Sequence, residues 1–461
     1  MDYSAANIPL WNGMMQIALL CAVLIVANVL RRKVPLIRRS LLPTAVLAGF
    51  IALLLRSAGL FHFDIEFMDV ITYHALGLGF IALSLRVPDK PAGNERQNMV
   101  GAKSGALIAS CYVIQGILGL LISLALAYTV MPGMFKAAGI LLPMGYGQGP
   151  GQANNIGSTY EALGFAGGRS FGLALAAAGF LCACIFGVIY LSILRRRGVL
   201  RPAQSAAELS GSLTVDTFQS KNEAPVSESV DRLSLNVGLV LVVYGLTYLL
   251  SLALTTLLDL AGLGGLADTL TSLIWGFNFL IGALLGLLVR KLIALLRRKR
   301  LMHYQYQNNY LLSRCSGLAF DLMVVSGLAA IQFDDLQGLW LPFALMALAG
   351  GFLTFYYLLW ISKRLYPDYY YEGFFSMFGM MTGTISSGVL LLREIDGEFT
   401  TPAANNLLLG SSFAILFGAP VLALVGLAPL SDGMCWLTLF LLVIYMALLL
   451  LFLLYAKRRR A

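Results

Sequence analysis

Charged residues are scarce in this chain. Of its 461 residues, 12% are charged and 59% are hydrophobic, and the mean hydropathy is +0.80. An average soluble domain has roughly 25% charged residues and could not hide so much apolar surface in one core. The scarcity excludes a soluble globular protein. It predicts an all-α polytopic membrane protein, because helices satisfy their own backbone hydrogen bonds in lipid.

Cysteine and histidine are also few. The six cysteines all fall within or beside apolar runs, which argues against a disulfide framework. On a helix, Cys182 and Cys184 would point about 200° apart. His62, His74 and His303 are far apart in the sequence. We therefore expect no resident metal and no cofactor.

The motifs of familiar enzyme classes are absent. The sequence has no His-Glu-x-x-His, no phosphate-binding Gly-x-x-x-x-Gly-Lys-Ser/Thr loop and no pair of intramembrane aspartates. The chain is therefore not expected to be an enzyme. Without a phosphate-binding loop, any pumping must draw on an ion gradient instead of ATP.

The chain does contain a series of long apolar runs. A bilayer core of about 30 Å needs roughly 20 helical residues. Eleven runs meet that length and predict membrane spans. They lie near residues 10–30, 41–60, 66–85, 100–130, 170–194, 236–258, 267–296, 309–331, 337–361, 402–428 and 434–456.

Lysine and arginine predict how these spans are oriented. The formal charge of +9 could indicate a nucleic-acid partner, but the basic residues cluster at the ends of apolar runs, as topology signals do. With the amino terminus outside and the carboxyl terminus inside, 29 of the 32 lysines and arginines lie inside. Only Arg56, Lys136 and Arg169 then lie outside. Met1–Pro9 has no basic n-region, so the first run is expected to be a retained span.

The spans fall into two matching halves. Residues 1–194 hold five spans and a glycine-rich interruption at 134–160. Residues 236–428 hold five spans and an interruption at 372–396. Because each half has an odd number of spans, the second half crosses the membrane upside down. The halves are thus predicted to be inverted repeats, each with a re-entrant hairpin, and the two hairpin tips can meet near the bilayer centre.

Two further segments complete the organisation. Residues 195–235 are rich in Ser, Ala, Glu and Asp without apolar periodicity, which predicts a flexible cytoplasmic linker between the halves. Residues 429–461 carry one span without a counterpart in the first half, followed by a basic tail.

The centre of the first interruption, Leu141–Gly157, is not an ordinary span. It has five glycines and two prolines in seventeen residues, so backbone amides and carbonyls are expected to lack internal partners. A plain loop between helices is the alternative, although the surrounding interval is as apolar as a span. We expect the segment to bind an ion or a small polar solute. Its candidate residues are Tyr146, Gly147, Gln148, Gly149, Gly151, Gln152, Asn154 and Asn155.

The second interruption is rich in hydroxyl groups. Their oxygens can accept a hydrogen bond from an ammonium group or coordinate sodium, which is a hard cation. Serine and threonine also pack helices together, so each hydroxyl has a structural alternative. The candidate residues are Thr382, Gly383, Thr384, Ser386 and Ser387.

Asp321 is the only acidic residue near the middle of a span. A carboxylate there is costly without a partner, so it is a candidate for balancing the charge of a bound ion. The alternative is an ion pair with Arg314, two turns away on the same helix face. The other polar residues within or near the ends of spans, interpreted as packing or interface groups, are His74, Lys103, Gln115 and Asn278.

This arrangement resembles the bacterial sodium/glutamate symporter family over residues 10 to about 428. The first hairpin of that family carries Gly-His-Gly-Thr-Gly, and here Gly147-Gln148-Gly149-Pro150-Gly151 occupies the matching place. The third span, Ala75–Arg86, is similar to the family's segment that ends in Ser-Leu-Arg. The family's His and Thr are replaced by Gln and Pro, and neither tip carries a cationic residue.

The resemblance implies a sodium-coupled secondary active transporter. Such a symporter would import glutamate or a related small anionic or zwitterionic amino acid by alternating access, with Na⁺ as coupling ion and no other metal. It also implies a homodimer in the bacterial cytoplasmic (inner) membrane and an elevator motion of the hairpin-bearing unit. The alternatives are a proton-coupled carrier or exporter of another organic anion, and a passive channel. A structural or receptor role would leave two matching interruptions unexplained.

Overall fold

The computed structural model describes residues 2–4, 6–35, 37, 41–87, 95–200, 232–260, 270–271, 274–302, 304–396 and 401–455, without the side chains of 95–98, 405, 408 and 412. Throughout these residues the regular elements are helices and no strand occurs, which confirms the all-α prediction. Most of the predicted linker, His303 and the basic tail lie outside the described residues.

The helices of the described residues are numbered here in chain order. They are α1 Ile8–Lys33, α2 Thr44–Ser57, α3 Ile65–Leu85, α4 Glu95–Tyr128, α5 Leu141–Tyr146, α6 Pro150–Ala162, α7 Gly168–Arg196, α8 Arg232–Leu260, α9 Asn278–Arg298, α10 Asn309–Ala329, α11 Trp340–Leu365, α12 Tyr370–Met381, α13 Ile385–Arg393, α14 Ala403–Leu427 and α15 Asp432–Tyr455. Short 3₁₀ helices occur at Lys136–Ile140, Asp334–Leu336, Pro367–Tyr369 and Ala428–Leu430.

The described part of the chain contains 10 helices that are long and apolar enough to cross a membrane. The protein is therefore a multi-pass membrane protein. The predicted span at 41–60 differs, because α2 has only 14 residues and extends about 21 Å. Pro43 stands at its N-cap, and Gly59 turns the chain away with a positive φ of 68°. Of the predicted span at 267–296, residues 267–269, 272 and 273 lie outside the described residues.

Large apolar side chains cover the outer faces of several helices. On α8, Leu241, Val242 and Leu249 are 53%, 61% and 58% exposed. Such surfaces are stable against lipid chains, which are as apolar as the side chains themselves. Their burial in a bilayer accounts for the hydropathy of the sequence.

The chain divides into two compact units. The first comprises Met1–Ile65, Asn94–Ala207 and Gly327–Ala461, and the second comprises Glu66–Gly93 and Glu208–Ser326. Each unit therefore takes helices from both halves of the sequence. Both interruptions lie in the first unit.

In the first unit, small residues of α4 allow other elements to approach closely. A Cβ on Gly105 would lie 2.9 Å from the backbone nitrogen of Ala414 in α14. Further along α4, the backbone of Gly119 crosses directly against that of Gly139 in the 3₁₀ helix. The hydroxyl groups of Ser110 and Tyr357 lie 2.6 Å apart and join α4 to α11. Glycine at these crossings is required by the spacing between backbones.

In the second unit, polar pairs join α3 to two neighbouring helices. The hydroxyl oxygens of Thr72 and Ser326 lie 2.9 Å apart between α3 and α10. The Nδ1 atom of His74 lies 2.6 Å from the hydroxyl oxygen of Tyr244 in α8. These contacts agree with the interpretation of His74 as a packing group.

Gly139→Ala should destabilise the fold, because its methyl group would collide with the backbone of Gly119. Overpacking of this kind costs about 1–3 kcal/mol, and two backbones cannot move apart as a flexible side chain can. The measurement is the melting temperature of the protein in detergent. The control is Gly133→Ala, where a Cβ meets nothing within 4 Å. Equal melting temperatures for the two variants would contradict the close crossing.

Candidate functional site

The first interruption is a helix that breaks and restarts. The chain runs through α5, breaks at residues 147–149 and continues as α6, with Pro150 at the first helical position. Proline suits this position because its missing N–H would have no helical partner. Gly149 is the N-cap, with φ 88° and ψ −176°. That region is essentially reserved for glycine, so the sequence explains where the break lies. We call α5, residues 147–149 and α6 the first broken segment.

The break leaves fewer backbone groups without partners than we expected. The amides of Gly147 and Gln148 both donate to the carbonyl of Pro143, at 3.0 and 3.2 Å, and the amide of Gly149 donates to Gly145 at 3.1 Å. The carbonyl of Pro143 thus satisfies two of these donors at once. Among the described residues, the amides of Gly151 and Gln152 have no partner. The open backbone is therefore the amino-terminal turn of α6.

The second interruption is built in the same way. Helix α12 ends at Met381, residues 382–384 break the helix, and α13 begins at Ile385 with Thr384 as an N-cap whose side chain does not cap the helix. Within the described part of the chain, the amides of Ser386 and Ser387 have no partner. We call α12, residues 382–384 and α13 the second broken segment.

The two breaks meet. A Cβ on Gly149 would lie 3.5 Å from the carbonyl oxygen of Gly383 and 3.6 Å from Cγ2 of Thr384. The residues in contact include the N-caps of both α6 and α13, so the amino-terminal ends of the two helices come together. Each such end carries roughly half a positive charge. The meeting point therefore favours an anionic group, although neither break contains a basic residue.

Helix α7 supports both broken segments. A Cβ on Gly145 of α5 would lie 2.8 Å from the amide nitrogen of Ala176. One on Gly179 of α7 would lie 2.6 Å from the carbonyl oxygen of Thr382. Because Gly145 of α5 and Gly179 of α7 have no side chain, the backbone of α7 can contact the backbones of both broken segments.

Gln115 of α4 lies between the broken segments. Its Nε2 donates to the carbonyl of Met381 at 3.0 Å and to Oγ1 of Thr354 at 2.9 Å. Its Oε1 faces the first break, where a Cβ on Gly147 would lie 3.0 Å away. A buried amide oxygen in this position is available to a bound group. The sequence showed an amide within an apolar span, but nothing in it indicated the contact with both breaks.

Several buried side-chain oxygens of the first unit lack a hydrogen-bond partner among the described residues, and four of them belong to Gln115 or to the broken segments. An unmet buried acceptor costs about 1–3 kcal/mol, so each points to a ligand, an ion or a water. These atoms are Oε1 of Gln115, Oε1 of Gln152, Oδ1 of Asn154, Oγ of Ser387 and Oδ1 of Asn406. Asn406 was not predicted. Its Nδ2 donates to the hydroxyl of Tyr369 at 2.8 Å, which leaves its oxygen open.

Other predicted residues have different surroundings. The hydroxyl of Tyr146 donates to the carbonyl of Ala347, so this side chain anchors the first segment to α11. Thr382 donates to the carbonyl of Phe378 at 2.7 Å, one turn earlier in its own helix. Gln148 is half-buried and Ser386 is exposed, while Asn155 is buried.

Asp321 belongs to the second unit, in α10. Its side chain is exposed, and it forms no ion pair with any described residue. The alternative pairing with Arg314 does not occur. That guanidinium lies over the ring of Tyr310, 5.0 Å from its centroid. With respect to the described residues, Asp321 is therefore a carboxylate without a compensating charge in an apolar helix.

No protein-family model and no curated protein matches the chain. The resemblance to sodium/glutamate symporters thus rests on the sequence motifs described above. In the described residues, no group of three or more His, Cys, Asp or Glu side chains could hold a metal ion.

Gly149→Ala should strain the first break without a steric clash. The added Cβ would have ordinary contact distances, but the backbone conformation costs a non-glycine residue about 1–3 kcal/mol. The expected result is a lower melting temperature in detergent.

The control for this variant is Gly418→Ala in α14. A Cβ there meets nothing within 4 Å, and φ is not positive. If Gly149→Ala were as stable as this control, the unusual backbone conformation of Gly149 would be refuted.

Proposed function

We propose that the protein is a secondary active transporter that imports a small anionic or zwitterionic amino acid, glutamate or a relative of it, together with Na⁺. One observation supports this proposal above all others. The uncapped amino-terminal ends of α6 and α13 meet at Gly149 and Thr384, and Gln115, Gln152 and Ser387 add buried oxygens that have no partner among the described residues. Donors for an anion and acceptors for a cation thus belong to the same unit.

The chemistry of each group suggests its part in binding. The open amides of Gly151 and Gln152, with those of Ser386 and Ser387, would donate to a substrate carboxylate. The oxygens of Gln115, Gln152 and Asn154 would accept from a substrate ammonium or coordinate sodium. Helix ends serve here in place of the basic side chains that the breaks lack.

The finer architecture is part of the same proposal. The two broken segments would be re-entrant hairpins of inverted repeats, entering the membrane from opposite sides. Alternating access would follow if movement of one hairpin opens the site to the outside and movement of the other opens it to the inside. The resemblance adds a homodimer in the bacterial inner membrane, with the amino terminus outside and the carboxyl terminus inside. The lysine and arginine distribution supports that orientation.

A passive channel is the main rival from another class, and the contact between the breaks favours a carrier. A Cβ on Gly149 would touch the carbonyl of Gly383 at 3.5 Å, so the two tips close against each other. A pore would need a continuous opening at this point. A proton-coupled carrier or an exporter of another organic anion would use the same helix ends and would differ in its coupling ion, its direction of transport or its substrate.

Uptake of radiolabelled glutamate into proteoliposomes tests the proposal. Uptake should be saturable and should accelerate when an inward Na⁺ gradient is imposed. The control is the same gradient of K⁺. Equal uptake rates with and without the Na⁺ gradient would contradict coupling to sodium. Flux that does not saturate, together with single-channel currents, would favour the pore.

Gln152→Leu should lower the rate of transport without lowering the stability of the fold. Because Oε1 of Gln152 has no partner among the described residues, a leucine of similar size loses no protein hydrogen bond. We expect an unchanged or higher melting temperature, but uptake at least about tenfold lower, which corresponds to about 1.4 kcal/mol.

Thr438→Val in α15 is the matched control. Thr438 is also a buried group with an unpartnered oxygen, but it lies outside both broken segments. This variant should keep both its stability and its uptake. Full uptake by Gln152→Leu would exclude Gln152 from the binding site.

A further inference from the structure

A basic cavity lies in the first unit, where α1, α7 and α13 end. Its volume is about 830 Å³. Four arginines and one acidic residue contribute to its lining: Arg31, Arg32, Arg195, Arg393 and Glu394. The described lining therefore carries an excess of three positive charges. This cluster of arginines takes no part in the contact between the broken segments, and the proposed transport does not explain it.

The arginines of the cavity are only partly compensated. Arg195 donates to the carboxylate of Glu394 at 3.0 Å and to its backbone carbonyl at 2.8 Å. Arg31 donates to the hydroxyl of Thr44 at 3.1 Å. Its charge also lies close enough to that of Arg393 for the two to repel. A dianion or monoanion between these guanidinium groups would relieve that repulsion.

Arg32 and Arg393 supply the remaining charge. Both are exposed, and neither has a hydrogen-bond or ion-pair partner in the part of the chain that the structure describes. Guanidinium groups bind phosphate oxygens through paired N–H donors, more specifically than an ammonium group does. The cavity therefore offers several such donors to one anion.

The rest of the lining consists of four apolar residues and the polar residues Asn28, Thr44 and Ser192. Leu41, Val188, Leu191 and Leu390 face the same cavity as the arginines. Helices α1 and α7 are long apolar helices that end in basic residues at this place, as helices do at a membrane surface. A ligand that fits such a lining carries an anionic head and an apolar body. Basic pockets between helices at a membrane surface suit phospholipid head groups.

We propose that this cavity binds the phosphate group of an acidic phospholipid, with the arginines around the phosphate and the leucines and valine against the acyl chains. Since Arg393 ends α13 and Arg195 lies near the end of α7, a bound lipid would connect the second broken segment with its supporting helix. The same guanidinium groups would also bind a soluble phosphate, so the experiment must distinguish the two sources.

The experiment measures melting temperature in nanodiscs of phosphatidylcholine with increasing fractions of phosphatidylglycerol. Phosphatidylglycerol should raise the melting temperature of the wild-type protein by about 2 °C or more. Native mass spectrometry should detect retained phosphatidylglycerol. A parallel titration with inorganic phosphate in pure phosphatidylcholine identifies the source. Stabilisation by the lipid alone assigns the site to a head group, and equal stabilisation by inorganic phosphate assigns it to a soluble phosphate and overturns the lipid proposal.

Arg31→Gln combined with Arg393→Gln should weaken phosphatidylglycerol binding about tenfold or more, as expected for the loss of charge-assisted hydrogen bonds. The matched control combines Arg196→Gln with Arg197→Gln, which removes the same charge from exposed positions outside the lining. If the first pair impairs folding, Arg393→Gln alone removes a group without partners. Equal lipid stabilisation in the wild type and in the Arg31 and Arg393 variants would overturn the proposal.

Discussion

The contact between two helix amino termini is the constraint on which the candidate site depends. Gly149 and Thr384 are the N-caps of α6 and α13, and no side chain caps either helix. Each end carries a partial positive charge, and the two ends repel. In water such a repulsion is weak, but within a bundle of apolar helices it is screened much less. The arrangement is most stable when a negatively charged group lies between the ends.

The side chains around this contact add hydrogen-bond acceptors, which can bind a cation. Gln115, Gln152 and Asn154 each have a buried amide oxygen without a partner among the described residues. An anion alone would satisfy the helix ends and leave these oxygens open. A solute with both a carboxylate and an ammonium group, or a carboxylate together with Na⁺, would satisfy both sets. This balance of donors and acceptors is the reason for proposing an amino acid with its coupling ion instead of a simple anion.

The sequence predicts the breaks because they depend on local chemistry. The glycines and Pro150 mark the end of α5 and the start of α6, since the backbone of Gly149 excludes other residues. The sequence does not predict how many amides remain open, because one carbonyl, that of Pro143, accepts from two of them. Gln115 and Asn406 were missed as acceptors for a related reason. Their importance arises from helices that are distant in sequence.

The predicted residues belong to two different compact units of the chain. Both breaks, with Gln115 and Asn406, belong to the first unit, whereas Asp321 belongs to the second. Among the described residues, the donors and acceptors identified at the two breaks therefore come from one unit. The described contact between the breaks is therefore complete within the first unit and uses no residue of the second. Asp321 takes no part in that contact, so a role for it in ion balance would have to be independent of the donors and acceptors at the helix ends.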